Sequence, residues 1–320
     1  NIEAVLHIAG KPGAIEVFGR AAANEGRAEV KGLGRIEDLQ TLLAFRGYSV
    51  DIETLAFKMG QGMVNGGGRI DLPGGKRQES ALYLKSSGAD VNLPWFKGRV
   101  DGEIQLSNDH AGAGLAGRVR ISEGDVYLQQ TGSGLLPKLP VDAGLKLSIH
   151  INEGVRISSG NTKALFNGNL LVGGSMRDLR IAGELVSRKG DIGVSVISSP
   201  FRLVEARAIF SEQAGRQSLL PGLKNTSINL QARAVNRIDK TEIYMDVAGH
   251  LPDIKISFSS RPEMSEDEII ALLGRKSSIE AVMDGRMQDV IKEELIRLVG
   301  DSIKNQLFEP LGKSLADALG

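Results

Sequence analysis

Apolar residues recur at every second position through most of this chain, and that alternation decides what it can fold into. Leu145, Leu147, Ile149 and Ile151 alternate with Lys146, Ser148, His150 and Asn152. Ile228, Leu230, Ala232 and Ala234 repeat the pattern, as do Ile243, Met245 and Val247, then Ile254, Ile256 and Phe258. Earlier runs are Ile2, Ala4, Leu6 and Ile8; Leu55, Phe57 and Met59; Ile104 and Leu106; and Val119 with Ile121. Successive side chains of a strand point to opposite faces, so each run predicts a strand with one apolar and one polar face. Between the runs lie Asn65-Gly-Gly-Gly68, Pro73-Gly-Gly75, Gly132-Ser-Gly134 and Gly173-Gly-Ser175, each read as a turn. Residues 1–260 are therefore expected to be mainly β and rich in antiparallel pairs. One helix is expected to interrupt them at about Ile36–Phe45, where Leu39, Leu42 and Leu43 share a helical face.

Glycine supplies 40 of the 320 residues, well above the average of about 7%. Some of it falls in a loose Gly-Arg-(Ile/Val) unit: Gly34-Arg-Ile36, Gly68-Arg-Ile70, Gly98-Arg-Val100 and Gly117-Arg-Val119. The unit reads as a strand opening. Its irregular spacing excludes a tight propeller or leucine-rich repeat. One architecture extended by adding similar strands is the expectation.

The pattern changes after Ser265. Ser265 reads as an N-cap with Glu268 three residues on, a capping box, with Met264 and Ile269 placed for a hydrophobic staple and Gly274 for the stop. Met287, Val290, Ile291, Leu295, Leu298, Val299 and Ile303 then recur at helical spacing. Residues 261–320 are thus expected to be an amphipathic helical segment. Its three readings are a cap on the β-structure, a docking element for a partner, and a membrane-surface helix.

Few residue patterns point to chemistry. Positive and negative side chains balance at 39 each, which argues against a nucleic-acid binder, whose affinity rests on surplus positive charge. No cysteine is present, which removes disulfides and thiol chemistry. His7, His110, His150 and His250 are isolated from one another and read as solvated strand or turn residues, with no metal site. Glu263, Glu266, Asp267 and Glu268 crowd a helix N-terminus, where the macrodipole favours negative charge. Gly312-Lys-Ser314 lacks the upstream glycine a phosphate loop needs. No catalytic residues, cofactor or metal are expected, and an enzyme is the last reading. No apolar run reaches the roughly 18 residues of a membrane-spanning helix. Because the first residue is Asn1, with no signal-peptide pattern, the chain is expected to be a fragment of a longer one.

About 260 alternating residues must still bury their apolar face. A sandwich, a β-helix and a curled trough all do so, and alternation alone leaves the three open. The segment Pro252–Gly274 narrows the choice. Its form Pro-x-Ile-x-Ile-x-Phe-Ser-Ser, then Pro-x-Met-Ser-x-Asp-Glu-Ile-x-x-Leu-Leu-Gly, resembles the C-terminal domain of the TamB family. TamB is the inner-membrane subunit of the translocation and assembly module of diderm bacteria, within the AsmA-like bridge-type lipid-transport superfamily. Gly88-Ala-Asp-Val-Asn-Leu93, Gly98–Ile104, Gly117–Gly124 and Leu170–Gly183 are similar to that family's strand-and-turn idiom. The resemblance covers most of residues 50–275.

It implies an elongated curled β-sheet, a β-taco, with an apolar concave face and about twenty strands at about 4.8 Å spacing. It also implies a periplasmic place in the cell envelope, with an inner-membrane anchor upstream. Phospholipid acyl chains are the implied cargo, and an Omp85-type outer-membrane protein is the implied partner. The leading expectation is a non-enzymatic conduit for phospholipid between the two membranes. An assembly factor for outer-membrane β-barrels or autotransporters is the alternative, and a passive solenoid or sandwich protein the third. The lipid-groove candidates are Leu145, Leu147, Ile149, Ile151, Phe166, Leu170, Ile243, Met245, Val247, Ile254, Ile256 and Phe258. Ser265 and Glu268 are assigned to the helix cap.

Overall fold

The structure, a computed structural model, describes residues 1–11, 14–30, 34–72, 74, 79–92, 96–109, 112–127, 143–159, 161–175, 178–194, 197, 199–212, 225–274, 289 and 293. Its first strands are β1 (Ile2–Lys11), β2 (Ala14–Val30), β3 (Gly34–Gly47), β4 (Ser49–Met59) and β5 (Gly62–Asp71). Next come β6 (Ser80–Asn92), β7 (Phe96–Asp109), β8 (Gly112–Tyr127), β9 (Gly144–Ser159) and β10 (Thr162–Ser175). The last are β11 (Leu179–Ile192), β12 (Phe201–Glu212), β13 (Thr226–Ile238), β14 (Thr241–His250) and β15 (Asp253–Arg261), followed by the helix α1 (Glu266–Gly274).

All fifteen strands belong to one curled sheet, and their spatial order is their chain order. Neighbours pair antiparallel, except that β8 and β9 run parallel from Gly114↔Gly144 to Tyr127↔Ser158. Residues 128–142, between β8 and β9 in sequence, lie outside the described set. At about 4.8 Å per strand the sheet measures about 67 Å across its strands. Fifteen strands, of 9 to 17 residues, are seen among the described residues, against the about twenty expected. The curled sheet, rather than the sandwich or β-helix, is the architecture.

Three readings of local sequence are corrected. Ile36–Phe45 is not a helix but lies inside β3. Leu43 faces Ile52 and Ala21 on the inner side, whereas Leu42 faces Ala22 and Thr54 on the outer side. Irregularities in the pairing shift the parity within β3 and β4, and a shifted strand puts leucines at spacings that mimic a helix. Asn65–Gly68 is likewise no turn: it pairs within β5, from Asn65↔Lys85 to Gly68↔Leu82. The same applies to the Gly-Arg-(Ile/Val) unit, which opens β3 at Gly34 but sits in mid-strand at Gly68 and Gly117. Gly173-Gly-Ser175 does close its strand, with Ser175 and Asp178 exchanging backbone hydrogen bonds across the hairpin end. The expected turns at Pro73–Gly75 and Gly132–Gly134 lie outside the described residues, Gly74 excepted.

The glycines of mid-strand allow the curl. Gly168 on β10 faces Leu185, and Gly183 on β11 faces Leu170. Their φ angles are 151° and 129°, where an L side chain is strained. A Cβ at Gly168 would overlap the carbonyl oxygen of Glu184, and one at Gly183 that of Asn169. The two backbones therefore approach more closely than any other residue would permit. Gly102 and Gly117 repeat the arrangement on β7 and β8.

The capping box is formed as expected. Ser265 N donates to Glu268 Oε2 at 2.8 Å, and Glu268 N donates to Ser265 Oγ at 3.4 Å. Ile269 and Leu273 are fully buried, and Met264, Ile270 and Leu272 pack beside them. Burying two such side chains contributes about 3–6 kcal/mol, which holds a nine-residue helix that would be marginal in water alone. The helical segment expected beyond Gly274 falls outside the described residues, apart from Asp289 and Glu293, which are helical and exposed.

Candidate functional site along the inner face

Strand pairing brings the alternating apolar residues into continuous rows. One row crosses eleven strands: Ala4, Ala21, Leu43, Ile52, Gly68, Leu82, Leu106, Leu115, Leu145, Gly174 and Leu179. Another crosses the last seven: Ile151, Gly168, Leu185, Ala208, Leu230, Gly249 and Ile254. The inner face is thus apolar from one edge of the sheet to the other, and the parallel step at β8–β9 leaves it unbroken.

The outer face is charged and laced across strands. Lys85 pairs with Glu103 at 2.9 Å, Arg156 with Asp125 at 2.7 Å and Arg207 with Glu184 at 2.7 Å. Arg233 grips Asp246 with two hydrogen bonds, at 2.8 and 3.0 Å, under the Tyr244 ring. The Lys85 ammonium holds the Glu103 carboxyl below the usual carboxylate range, through their hydrogen bond first and their opposite charge second. His7, His150 and His250 are exposed on strands, as read, and His110 lies outside the described residues.

Accessibility changes along the sheet. On β1, Leu6 is 45% exposed and Ile8 68%. From β3 to β7 the inward residues Leu43, Ile52, Leu55, Phe57, Leu82, Leu84 and Ile104 are half-buried, while Met59, Val64, Ala89 and Leu106 are buried. Toward β15 the face closes on itself. Phe201 of β12 and Phe258 of β15 lie three strand spacings apart, about 14 Å on a flat sheet, yet their ring centroids are 6.3 Å apart. Ile181 of β11 donates its amide to the Thr226 hydroxyl of β13 at 3.0 Å, across the end of β12. Asn225 bridges to Asp178 beside it at 2.6 Å.

All twelve groove candidates fall on this inner face, within one hydrophobic cluster. Leu145, Leu147, Leu170, Ile243, Met245, Val247, Ile254 and Phe258 are buried in it, and Ile149, Ile151, Phe166 and Ile256 pack against it half-buried. Ile243 and Met245 have no exposed surface. The more reachable stretch is the one around Leu43, Ile52, Leu82, Leu84 and Ile104, which the candidate set did not include. Alternation marks both stretches equally, so no signal in the sequence separated them. The few buried polar groups inside are satisfied: Asn236 donates to the carbonyls of Ser199 and Pro200, and Thr162 exchanges hydrogen bonds with Gly193. Among the described residues no group of three or more histidine or acidic side chains could hold a metal.

A single sheet with strands in chain order, charged outside and apolar within, defines a trough-forming protein. The chain belongs to the TamB family: the family model of the TamB C-terminal domain matches residues 129–320, more than half of its length. The match begins in the segment joining β8 to β9, where the one parallel pairing among the described strands occurs. Comparison with curated proteins gave no match. The family is associated with the cell envelope and with lipid transport or protein assembly there. Among the described residues no helix is long and apolar enough to cross a membrane.

Proposed function

We propose that the inner face is a path for phospholipid acyl chains between the inner and outer membranes, in the periplasm and without catalysis. The observation that supports it most is the unbroken apolar row from Ala4 to Leu179, half-buried where it passes Leu43, Ile52 and Leu82. An acyl chain loses about 0.8 kcal/mol for each methylene left in water. A continuous apolar surface removes that cost at every point along the way. The headgroup stays at the open side, in water.

Photo-crosslinkers at Leu82 and at its neighbour Tyr83 test this directly. Leu82 points inward and Tyr83 outward, where it is 56% exposed. Lipid adducts are expected at Leu82 and none at Tyr83. Equal labelling at the two positions would rule out the inner face as the lipid path.

A second reading rests on β1. Its outer edge has no strand partner among the described residues, and Ile2 and Val5 are exposed on it. Such an edge can accept an added strand. That is the chemistry an assembly factor for outer-membrane β-barrels would use, together with an Omp85-type partner. Adducts to unfolded porin at Val5, with none to lipid at Leu82, would favour it.

A further inference from the structure

We infer that α1 is a displaceable stopper: it occupies the end of the acyl-chain path and is exchanged for an acyl chain when the path opens. The inference rests on the trough reading above. Three observations carry it. First, Ile269 and Leu273 are fully buried in the same cluster as the inward residues of β11 to β15, so the helix fills space that the inner face would otherwise offer to cargo. Second, the face turned to solvent is Glu266, Asp267, Glu268 and Ala271, so the helix is apolar only toward the trough. Third, the first turn is shaped by the capping box between Ser265 and Glu268, with the Ile269 amide donating to the Ser265 carbonyl at 3.0 Å.

Apolar burial is non-directional. A helix seated by isoleucine and leucine can therefore be replaced by any apolar body of similar area, and about four to eight methylenes match what Ile269 and Leu273 bury. Released from the trough, a nine-residue helix has little stability of its own, so the open state has an unravelled α1 rather than a swung lid. The path is thus half-exposed at Leu43, Ile52, Leu82, Leu84 and Ile104 and sealed at β13–β15 until cargo competes for the seal.

The test uses the full chain, a photoactivatable palmitic acid and peptide mapping of the label. Ser265→Ala with Glu268→Ala weakens the helix start from outside the trough and changes no inward residue. Apparent affinity rises in proportion to the open population, and loss of a cap shifts that population about five-fold. Label on β13–β14 is therefore expected to rise about five-fold, with label on β5–β7 unchanged. Ile269→Asp with Leu273→Asp should raise it further. If this second pair unfolds the chain, the capping variant decides. Unchanged label on β13–β14 with normal label on β5–β7 would make α1 a fixed end wall and overturn the inference, leaving the trough reading intact. Absence of label everywhere would overturn the trough reading and the stopper with it.

Discussion

Leu170 on β10 faces Gly183 on β11, and two residues along Leu185 on β11 faces Gly168 on β10. Each leucine thus lies over a position with no side chain. The inner side of a curled sheet has less room than the outer side, so neighbouring inward positions cannot all be large. Alternating a leucine with a glycine lets the sheet bend while the apolar rows stay continuous. The glycines on this face therefore set curvature, and curvature sets how much of the face is accessible.

Gly183→Val is expected to destabilise the chain by about 3 kcal/mol or more, because φ is unfavourable and the new Cβ meets the Asn169 carbonyl. Leu171→Asn, on the exposed outer face of β10, should stay within about 0.5 kcal/mol of the parent. Urea unfolding of both variants checks the contrast.

Met245→Asp places a carboxylate where no surface is exposed. A cost of about 3–5 kcal/mol is expected, seen as loss of cooperative unfolding or of soluble protein. Leu82→Asp, at a half-buried position, should leave the fold intact by circular dichroism and reduce lipid labelling. Retained labelling in a folded Leu82→Asp protein would count against the conduit.

Thr226→Val removes the acceptor for the Ile181 amide inside the closed end. The orphaned amide should cost about 1–3 kcal/mol. Thr226→Ser keeps an oxygen there and should recover most of the loss, as denaturant midpoints would show.

Glu268 is held below its ordinary value of 4.5, first by the Ser265 backbone amide and then by the Ser265 hydroxyl. Its ionised form is therefore the one the folded helix favours. The contribution is fully present above the unfolded value and is lost as pH falls through the lower folded value. Fluorescence of a reporter on α1 should show release beginning below about pH 4.5, and Glu268→Gln should flatten that dependence.

Much of this fold was legible from parity. Leu145–Ile151, Ile243–Val247 and Ile254–Phe258 each lie on the face that alternation assigned to them. The cap at Ser265 was legible too, because a capping box is a contact between residues three apart. Ile36–Phe45 misled because irregular pairing in β3 and β4 broke the parity, and the pairing depends on partners distant in sequence. Asn65–Gly68 misled because glycine marks close backbone approach as readily as it marks a turn. Here the approach is to β6.

Which side of each strand is apolar is a local property, and the order of residues settles it alone. Whether an apolar residue lines an open trough or a sealed end is not local. Leu82 and Met245 read alike in the sequence, yet one is half-buried and the other has no exposed surface. The difference comes from curvature accumulated over successive strands, from glycines placed opposite leucines, and from a helix that folds back over the end. Each of these joins residues that only the assembled sheet brings together.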